Sequence, residues 1–410
     1  MKNIGCGLIF FFSIFISSYA QTLIKGTVTN SKKMPVEGAS VYLNNSTIGT
    51  ITDKDGNFEL LIRDGKFELI ISFIGYKTII YNIDSNTYEK PLFLKLLRAT
   101  NFLDEAVVTK TKYDDDWRYN LSRFKIAFLG RTELALQCKI LNPKVLSFEY
   151  DKTTRTLNAF AKEPLKIENR GLGYLITYDL VHFSLGQQKV TYLGLTKYQN
   201  LKGKKAKQKR WKKNRLKAYN GSLMHFIRSL RTENLGPEGF LVHQFKRVAN
   251  AERPSEEKIK KAREYIKLNS SQGLPINFSK KIKTPITALD SALWTIQRVR
   301  LPKYRDYLYK KNVPYEDMIT KDKAMVLLNF ENYLSIVYTK EREGQNYTGS
   351  NSKGKSGSNN QSSSITMTSK TAILDPSGIV IDPLDIFAEG YWSYEQFADL
   401  LPLDYQPSTD

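Results

Sequence analysis

The chain has little cysteine, little histidine and no long apolar run beyond its N terminus. Its 410 residues include two cysteines, Cys6 and Cys138, and three histidines. If the N-terminal segment is removed, Cys138 remains alone, so no internal disulfide can form and stability must come from packing. We expect Cys138 to be a small buried apolar residue. No run after the first twenty residues reaches the roughly 18 apolar residues of a membrane helix.

Motifs that carry catalysis are also missing. None of the histidines begins the H-x-x-E pair of a zinc carboxypeptidase, because His182, His225 and His243 are followed three positions later by Leu185, Arg228 and Lys246. The chain has no G-x-S-x-G elbow, no P-loop and no G-x-G-x-x-G fingerprint. We therefore predict no catalytic residue, no metal site and no cofactor, and hence a protein that is not an enzyme.

One catalytic alternative stays open. Glycosidases need a pair of carboxylates at a defined separation. The sequence offers candidates for such a pair, but separation along the chain does not place them in space: Glu163, Glu168, Asp179 and Asp385.

The N terminus has the pattern of a secretory signal. Lys2 supplies a positive charge, an apolar run of about nine residues spans 8–16, and Ser18 and Ala20 are small residues at a cleavage site. We expect a signal peptide over 1–20 and a mature chain from Gln21. Export without a helical anchor predicts the periplasm or an association with the outer membrane.

Positive charge is in excess, with a formal net charge of +21. Ten of the sixteen residues over 202–217 are Lys or Arg and none is acidic. Such a cluster attracts polyanions through counterion release and steering. It forms the candidate polyanion-binding site: Lys204, Lys205, Lys207, Lys209, Arg210, Lys212, Lys213 and Arg215.

Two interpretations of this basic run remain. In an exported protein its partners would be envelope proteins, an acidic glycan or lipopolysaccharide. Nucleic acid is an unlikely partner, because a lone Trp211 among lysines is weak support for base stacking. The alternative is a solvated loop followed by the basic start of a helix.

Short strands separated by turns fill residues 23–83. The segment Ala39–Leu43 alternates small or apolar residues with polar ones, and Asp53–Asn57 has the composition of a tight turn with Gly56 at a position of positive φ. Strands about ten residues apart with turn chemistry between them predict an antiparallel sandwich. Asp53, Asp55 and Asn57 also have the spacing of a calcium loop, but Phe58 and Asp64 occupy the positions that need Gly and Glu, so a hairpin turn is favoured.

These residues resemble a known family. The segments P-V-E-G-A-S-V at 35–41, T-D-K-D-G-N-F at 52–58 and S-F-I-G-Y at 72–76 are similar to those of the carboxypeptidase-regulatory-like domain. The resemblance implies a transthyretin-like β-sandwich over 21–98, common at the N terminus of exported Bacteroidetes proteins and TonB-dependent receptors. It implies no peptidase activity, because the module is an accessory. In such receptors a segment similar to 103–109 leads into a plug domain, but no plug is recognisable here.

Downstream, the sequence predicts a linker over 99–112 and a β-rich domain over 113–410. Five strands and two turns suggest a meander between 145 and 198. Helices are expected over 214–230 and 255–268, a hairpin over 324–339, a flexible loop over the Gly/Ser/Asn-rich residues 344–364, and a short docked helix at the C-terminal end. The fold class is mainly β: an Ig- or transthyretin-like β-sandwich followed by a larger β-rich α+β domain.

The sequence therefore predicts a non-catalytic exported protein of the cell envelope, with a binding or structural role. Two alternatives stay open: a glycan-processing enzyme with an undetected carboxylate site, and a small outer-membrane barrel component.

Overall fold

The computed structural model describes residues 21–99, 112–187, 189–272, 276–279, 282, 284–322, 325–347, 349 and 359–408. The predicted signal peptide, most of the predicted linker and much of the predicted loop over 344–364 lie outside these residues. The chain divides into two compact units, one built from residues up to Tyr219 together with those from Glu395, the other from Asn220–Tyr394. The division falls inside the single domain predicted over 113–410.

The first unit begins with the predicted sandwich. Its strands are β1 (Gln21–Asn30), β2 (Ser40–Leu43), β3 (Gly49–Ile51), β4 (Asn57–Arg63), β5 (Lys66–Ser72), β6 (Ile79–Asp84) and β7 (Leu92–Leu96). They form two sheets, of order β4-β1-β7 and β3-β2-β5-β6. Alternate residues of β1 and β4 point inward, so Ile24, Val28, Leu60 and Ile62 are buried between the sheets. The β-sandwich and the mainly β fold class are confirmed.

The sandwich is followed by a six-stranded sheet, called the second sheet below, which packs against a helix that the sequence did not predict. The elements are α1 (Asp115–Leu129), β8 (Cys138–Ile140), β9 (Leu146–Asp151), β10 (Thr156–Ala161), β11 (Leu165–Asn169), β12 (Tyr174–Leu185), β13 (Val190–Asn200) and α2 (Lys205–Tyr219). Strand β12 pairs with β10, β11 and β13. A register shift between Leu180 and His182 reverses its alternation, so that Phe183 is buried. Phe124 of α1 lies 4.6 Å from Phe183 between ring centroids.

The sandwich joins this sheet through the turn between β2 and β3. The Asn45 amide donates to Thr196 O at 2.8 Å, and the Tyr198 amide donates to Ser46 O at 3.0 Å. The Asn44 side chain accepts from the Thr196 amide at 2.8 Å. The turn therefore pairs with β13 through a single parallel bridge between Ser46 and Lys197. Beside it, three apolar side chains form a small buried cluster that closes the junction: Tyr42, Ile70 and Leu195.

The C-terminal segment secures the same junction. The Leu403 amide donates to Asn45 O at 2.7 Å, and Asp404 accepts from the Thr47 amide at 2.8 Å. Upstream, Phe397 stacks on Phe128 of α1 with centroids 4.5 Å apart. The segment thus contacts α1, the sheet and the sandwich, and ties all three together.

The second unit has two sheets of its own. Its strands are β14 (Phe240–Ala249), β15 (Tyr304–Lys310), β16 (Ile319–Asp322), β17 (Met325–Leu328), β18 (Tyr333–Arg342), β19 (Asn360–Met367), β20 (Ala372–Leu374) and β21 (Ile386–Gly390). The sheet orders are β15-β14-β18-β19-β21 and β16-β17-β20. Its helices are α3 (Leu223–Arg231), α4 (Leu235–Glu238), α5 (Glu256–Ser271), α6 (Ala288–Arg298) and α7 (Tyr391–Tyr394).

The core of the second unit is closed by a tryptophan. The Trp392 indole donates to Gly221 O at 2.7 Å, and its backbone amide donates to the Ser363 hydroxyl at 3.0 Å. Phe226 of α3 and Phe240 of β14 pack in the same cluster. His225 is buried beside them, with Nδ1 accepting from the Gly221 amide and Nε2 3.1 Å from Glu238. Burial lowers the pKa of His225.

Three predicted elements differ from the structure. The helix predicted over 214–230 is two helices, α2 and α3, interrupted at Gly221, whose φ is +74°. The hairpin predicted over 324–339 is wrong, because β17 pairs with β16 and β20 whereas β18 pairs with β14 and β19. The flexible loop predicted over 344–364 is wrong at its end, because residues from Asn360 form β19 between β18 and β21. Polar Gln361 and Ser363 are buried there.

The turn at Gly56 provides a test of backbone strain. Gly56 has φ +75°, and an added Cβ would lie 2.5 Å from Val28 O, whereas Gly38 has the same φ and open space around it. Positive φ strains any β-branched residue, but only Gly56→Val adds a clash with backbone. We expect Gly56→Val to lower the free energy of unfolding by at least about 1 kcal/mol more than Gly38→Val. Urea unfolding of the full chain measures both; equal losses would contradict the close approach.

Asp399 provides a test of pH dependence. Burial raises its pKa to about 7, although the Thr132 hydroxyl donates to it at 2.8 Å. Because the folded-state pKa lies above the unfolded value, its stabilising contribution is complete below about pH 4 and is lost as pH rises through about 7. Asn at this position accepts the same hydrogen bond but does not ionise. We expect Asp399→Asn to melt well above wild type at pH 8 and close to it at pH 4; parallel melting curves would contradict the assignment.

Candidate polyanion site on helix α2

Helix α2 carries most of the predicted basic site. It begins at Lys205, so the basic run is helical over most of its length rather than a loop. The helix has few apolar residues, and its local sequence provides little reason to pack. It is held by tertiary contacts from one face.

That face binds the turn between β11 and β12 through three side chains spaced at helical intervals. The Trp211 indole donates to Arg170 O at 2.9 Å, and the Asn214 amide donates to Gly171 O at 2.8 Å. The Arg215 Nε donates to Leu172 O at 2.8 Å. Successive carbonyls of one turn are thus satisfied by residues that share a helix face.

Arg215 is the most strongly engaged member of the predicted site. Its guanidinium also donates to Asn200 Oδ1 at 3.0 Å and lies 4.0 Å from the centroid of the Tyr174 ring. Burial lowers its pKa. The structure therefore places Arg215 in the anchor of α2 and not on the outer surface.

Trp211 is buried instead of being available for stacking on a base. Its ring lies against two glycines, since a Cβ on Gly173 would be 2.3 Å from the ring and one on Gly203 would be 2.6 Å from it. Neither position could hold a side chain without moving Trp211.

The other predicted residues lie on the exposed faces of α2 and at its start. They are Lys204, Lys205, Lys207, Lys209, Arg210, Lys212 and Lys213. No acidic residue interrupts them in the sequence between 202 and 217. Because one face of α2 is anchored, the helix backbone fixes the positions from which these basic side chains extend.

A cleft of about 500 Å³ lies beside the middle of α2. It is bounded by the sandwich, the second sheet, α2 and the C-terminal segment. Its lining residues are Thr47, Tyr174, Asn200, Leu201, Gln208, Trp211, Lys212, Arg215, Pro402, Asp404, Tyr405, Gln406 and Ser408. Aromatic surfaces, amides and two cations together suit a sugar that bears an acidic group.

The cleft offers few carboxylates for the glycosidase chemistry that the sequence left open. Asp404 is the single carboxylate among its lining residues, and both of its oxygens accept hydrogen bonds from Thr47. A glycosidase needs two carboxylates about 5 to 9.5 Å apart. The cleft therefore lacks the pair.

The carboxylates named from the sequence do not form such a pair on the second sheet. Glu168 is opposite Leu175 on β12, and Asp179 is four residues further along that strand. At about 3.4 Å per residue this separates them by roughly 14 Å. Glu168 is also paired with Arg170 at 2.8 Å. Glu163 is exposed on the turn before β11, and Asp385, in the second unit, accepts from the Ser369 hydroxyl.

Potential metal ligands are likewise scattered. Across the part of the chain that the structure describes, no three His, Cys, Asp or Glu side chains gather as a metal site would require. Cys138 is partly buried, and burial raises the pKa of its thiol to about 12. It is poorly suited to act as a nucleophile at neutral pH.

Sequence reasoning missed Asn200, Asp404 and Tyr405. They come together with α2 only in the folded chain, and no spacing in the sequence links residues 200 and 404. The polar C-terminal tail offered no signal beyond its aromatic content.

Comparison with known proteins identifies the N-terminal sandwich. Residues 24–108 match the CarboxypepD_reg-like domain family. The sandwich is a CarboxypepD_reg-like domain. This confirms the resemblance seen in the turn motifs.

Two receptors share the CarboxypepD_reg-like domain with this chain. TonB-dependent receptor SusC of Bacteroides thetaiotaomicron is 43% identical over 63 residues, which are 15% of this chain and 6% of the receptor. TonB-dependent receptor P39 of Formosa agariphila is 32% identical over 108 residues, 25% of this chain and 10% of the receptor. The chain thus spans only a small fraction of either receptor.

Among solved structures, a 9R-lipoxygenase from Cyanothece PCC8801 aligns over 52% of this chain and 49% of its own at 10% identity. The TM-score is 0.16, so the alignment supports no shared fold.

The anchor and the exposed cations of α2 should respond differently to substitution. Arg215→Gln leaves the Leu172 carbonyl without its donor, and we expect it to lower the free energy of unfolding by about 1 to 3 kcal/mol. Lys213→Gln removes the same charge from an exposed position and should change that free energy by less than about 0.5 kcal/mol. Urea unfolding measures both. Equal effects would show that Arg215 does not hold the helix.

Proposed function

We propose that this protein is a non-catalytic, exported component of the cell envelope that binds an acidic saccharide through α2 and the cleft beside it. The observation that carries the proposal is the arrangement of α2: one face is fixed to the β11–β12 turn, and the remaining faces display exposed basic side chains from a stretch, 202–217, that contains no acidic residue. A fixed row of cations loses less conformational freedom on binding than a flexible basic tail does.

An envelope location is supported by two observations. The signal-like N terminus predicts export, and the CarboxypepD_reg-like domain is shared with TonB-dependent receptors of the outer membrane. We place the protein in the periplasm or in association with the outer membrane. Over the described residues, no helix has both the length and the apolar character needed to span a membrane.

The proposed ligand is an acidic glycan or the saccharide of lipopolysaccharide. The row of lysines would bind its phosphates or carboxylates, and the cleft would take one sugar. The amides of Asn200 and Gln208 supply hydrogen-bonding groups at the wall, and Lys212 lies at the junction between helix and cleft. The alternative of a glycan-processing enzyme would require a second carboxylate that the cleft lining does not contain.

Neutralising the exposed lysines tests the proposal. We expect replacement of Lys204, Lys205, Lys207 and Lys209 by Gln to weaken binding to lipopolysaccharide and polygalacturonate at least about tenfold at low salt, and to flatten the salt dependence, because fewer counterions are released. Stability should hardly change. The measurement is binding by titration over a series of salt concentrations.

A control of equal net charge comes from the CarboxypepD_reg-like domain. Replacing the exposed Lys32, Lys54, Lys90 and Lys95 by Gln removes the same four charges elsewhere. If both quadruple variants lose affinity equally, general positive charge accounts for binding and the α2 site is wrong. If the α2 variant lost affinity equally for duplex DNA and for saccharides, the assignment of a saccharide ligand would also be wrong. Release of sugars from either substrate by the wild-type protein would favour the enzyme.

A further inference from the structure

The helical pair α5 and α6 is inserted between β14 and β15 in the second unit. The two helices pack mainly on each other, and they bury only a short apolar stripe: Ile259, Ala262, Ala292 and Leu293. Such a pair adds little to the core of its unit. Packing within the unit therefore does not account for the length of the two helices or for their exposed apolar groups.

A groove of about 470 Å³ runs between the C-terminal half of α5 and α6. Its apolar surface comes from Ile266, Ile296 and Phe278, the last of which is 60% exposed. Arg263 and Lys267 line the same groove one helical turn apart on α5. The hydroxyls of Ser270 and Ser271 continue that side toward the end of the helix.

The charges around the groove have one dominant sign. Of the described residues between 256 and 300, seven are Lys or Arg and four are Asp or Glu. None of the residues lining the groove, all of them described, is acidic. Apolar side chains beside uncompensated cations are typical of surfaces that lie on anionic bilayers, where apolar groups enter the headgroup region and cations meet phosphates.

A further exposed apolar group lies at the start of α6. Ile286 is 90% exposed, immediately before the Thr287 N-cap. Ile286 does not line the groove, so it is a second exposed apolar group of the same insertion. An exposed aliphatic and an exposed aromatic side chain would each gain from partial burial among acyl chains.

We propose that the α5–α6 groove docks the protein on the surface of an anionic bilayer, with a phospholipid phosphate on Arg263 and Lys267 and the adjoining methylenes against Ile266, Phe278 and Ile296. A helical peptide is a less suitable occupant. Its recognition would need apolar anchors along several turns, whereas the apolar part of this groove has three side chains and its rim is cationic.

The test is binding of the full chain to large unilamellar vesicles, either of phosphatidylcholine alone or of phosphatidylcholine mixed equally with phosphatidylglycerol. We expect binding to the anionic vesicles only. Arg263→Glu with Lys267→Glu should weaken it at least about tenfold, because each reversal replaces attraction to the anionic surface by repulsion. Phe278→Ser should weaken it severalfold through lost burial.

Matched controls are available on the same helix. Lys258→Glu with Lys260→Glu makes the same charge change away from the groove, and Leu268→Ser alters a side chain that is also 60% exposed but does not line it. Both controls should bind nearly as wild type does. Circular dichroism should show unchanged helix content in all four variants.

Other outcomes would overturn the proposal. Absence of binding to the anionic vesicles would do so, as would equal losses in groove variants and controls. Loss only in the α2 lysine variant would move the membrane contact to α2. If charge reversal weakened vesicle binding and Phe278→Ser did not, the binding would be electrostatic and the apolar groove would have no part in it. If a helical peptide competed for the groove and vesicles did not, the site would be a protein interface.

Discussion

The first unit depends on the pairing of the β2–β3 turn with strand β13. Two backbone hydrogen bonds, through the amides of Asn45 and Tyr198, join a turn of the CarboxypepD_reg-like domain to strand β13 of the neighbouring sheet by a single parallel bridge. The C-terminal segment then closes over this pairing, with Leu403 bound to Asn45 and Asp404 bound to Thr47. Because these bonds are partly sheltered, losing one leaves a backbone group without its partner, which costs more than the bond contributes. The accessory domain is thereby a fixed part of a larger unit.

The position of α2 and of the cleft follows from this constraint. Strand β13 is held by the pairing, and α2 follows it after four residues. The helix is fixed in turn by the carbonyls of Arg170, Gly171 and Leu172. The cleft opens where the paired turn, α2 and the C-terminal segment meet. A site built from four segments of the chain can persist only if the junction is rigid. The fold therefore links the accessory domain to the surface that α2 and the cleft form.

Local patterns predicted the sandwich, because its turns and period-two alternation lie in continuous sequence. The signal for α1 was also present, since Asp114 caps the helix and Leu121, Phe124 and Phe128 recur at helical spacing, but the surrounding strands masked it. Strand β19 was not predictable, because its buried Gln361 and Ser363 resemble loop residues until β18 and β21 supply partners. For α2 the basic residues were evident. Their division into the anchoring Arg215 and the exposed lysines depends on a turn some forty residues away, and sequence alone does not reveal it.

Hydrogen exchange of the free, full-length protein tests the rigid junction most directly. If the CarboxypepD_reg-like domain is a fixed part of the first unit, the amides of Asn45, Thr196, Tyr198 and Leu403 should exchange as slowly as core amides of β12, since opening them requires the unit to unfold. The account would be contradicted if these amides exchanged at loop rates while the core strands of both the sandwich and the second sheet remained protected. That result would describe a tethered domain and a cleft without a fixed wall.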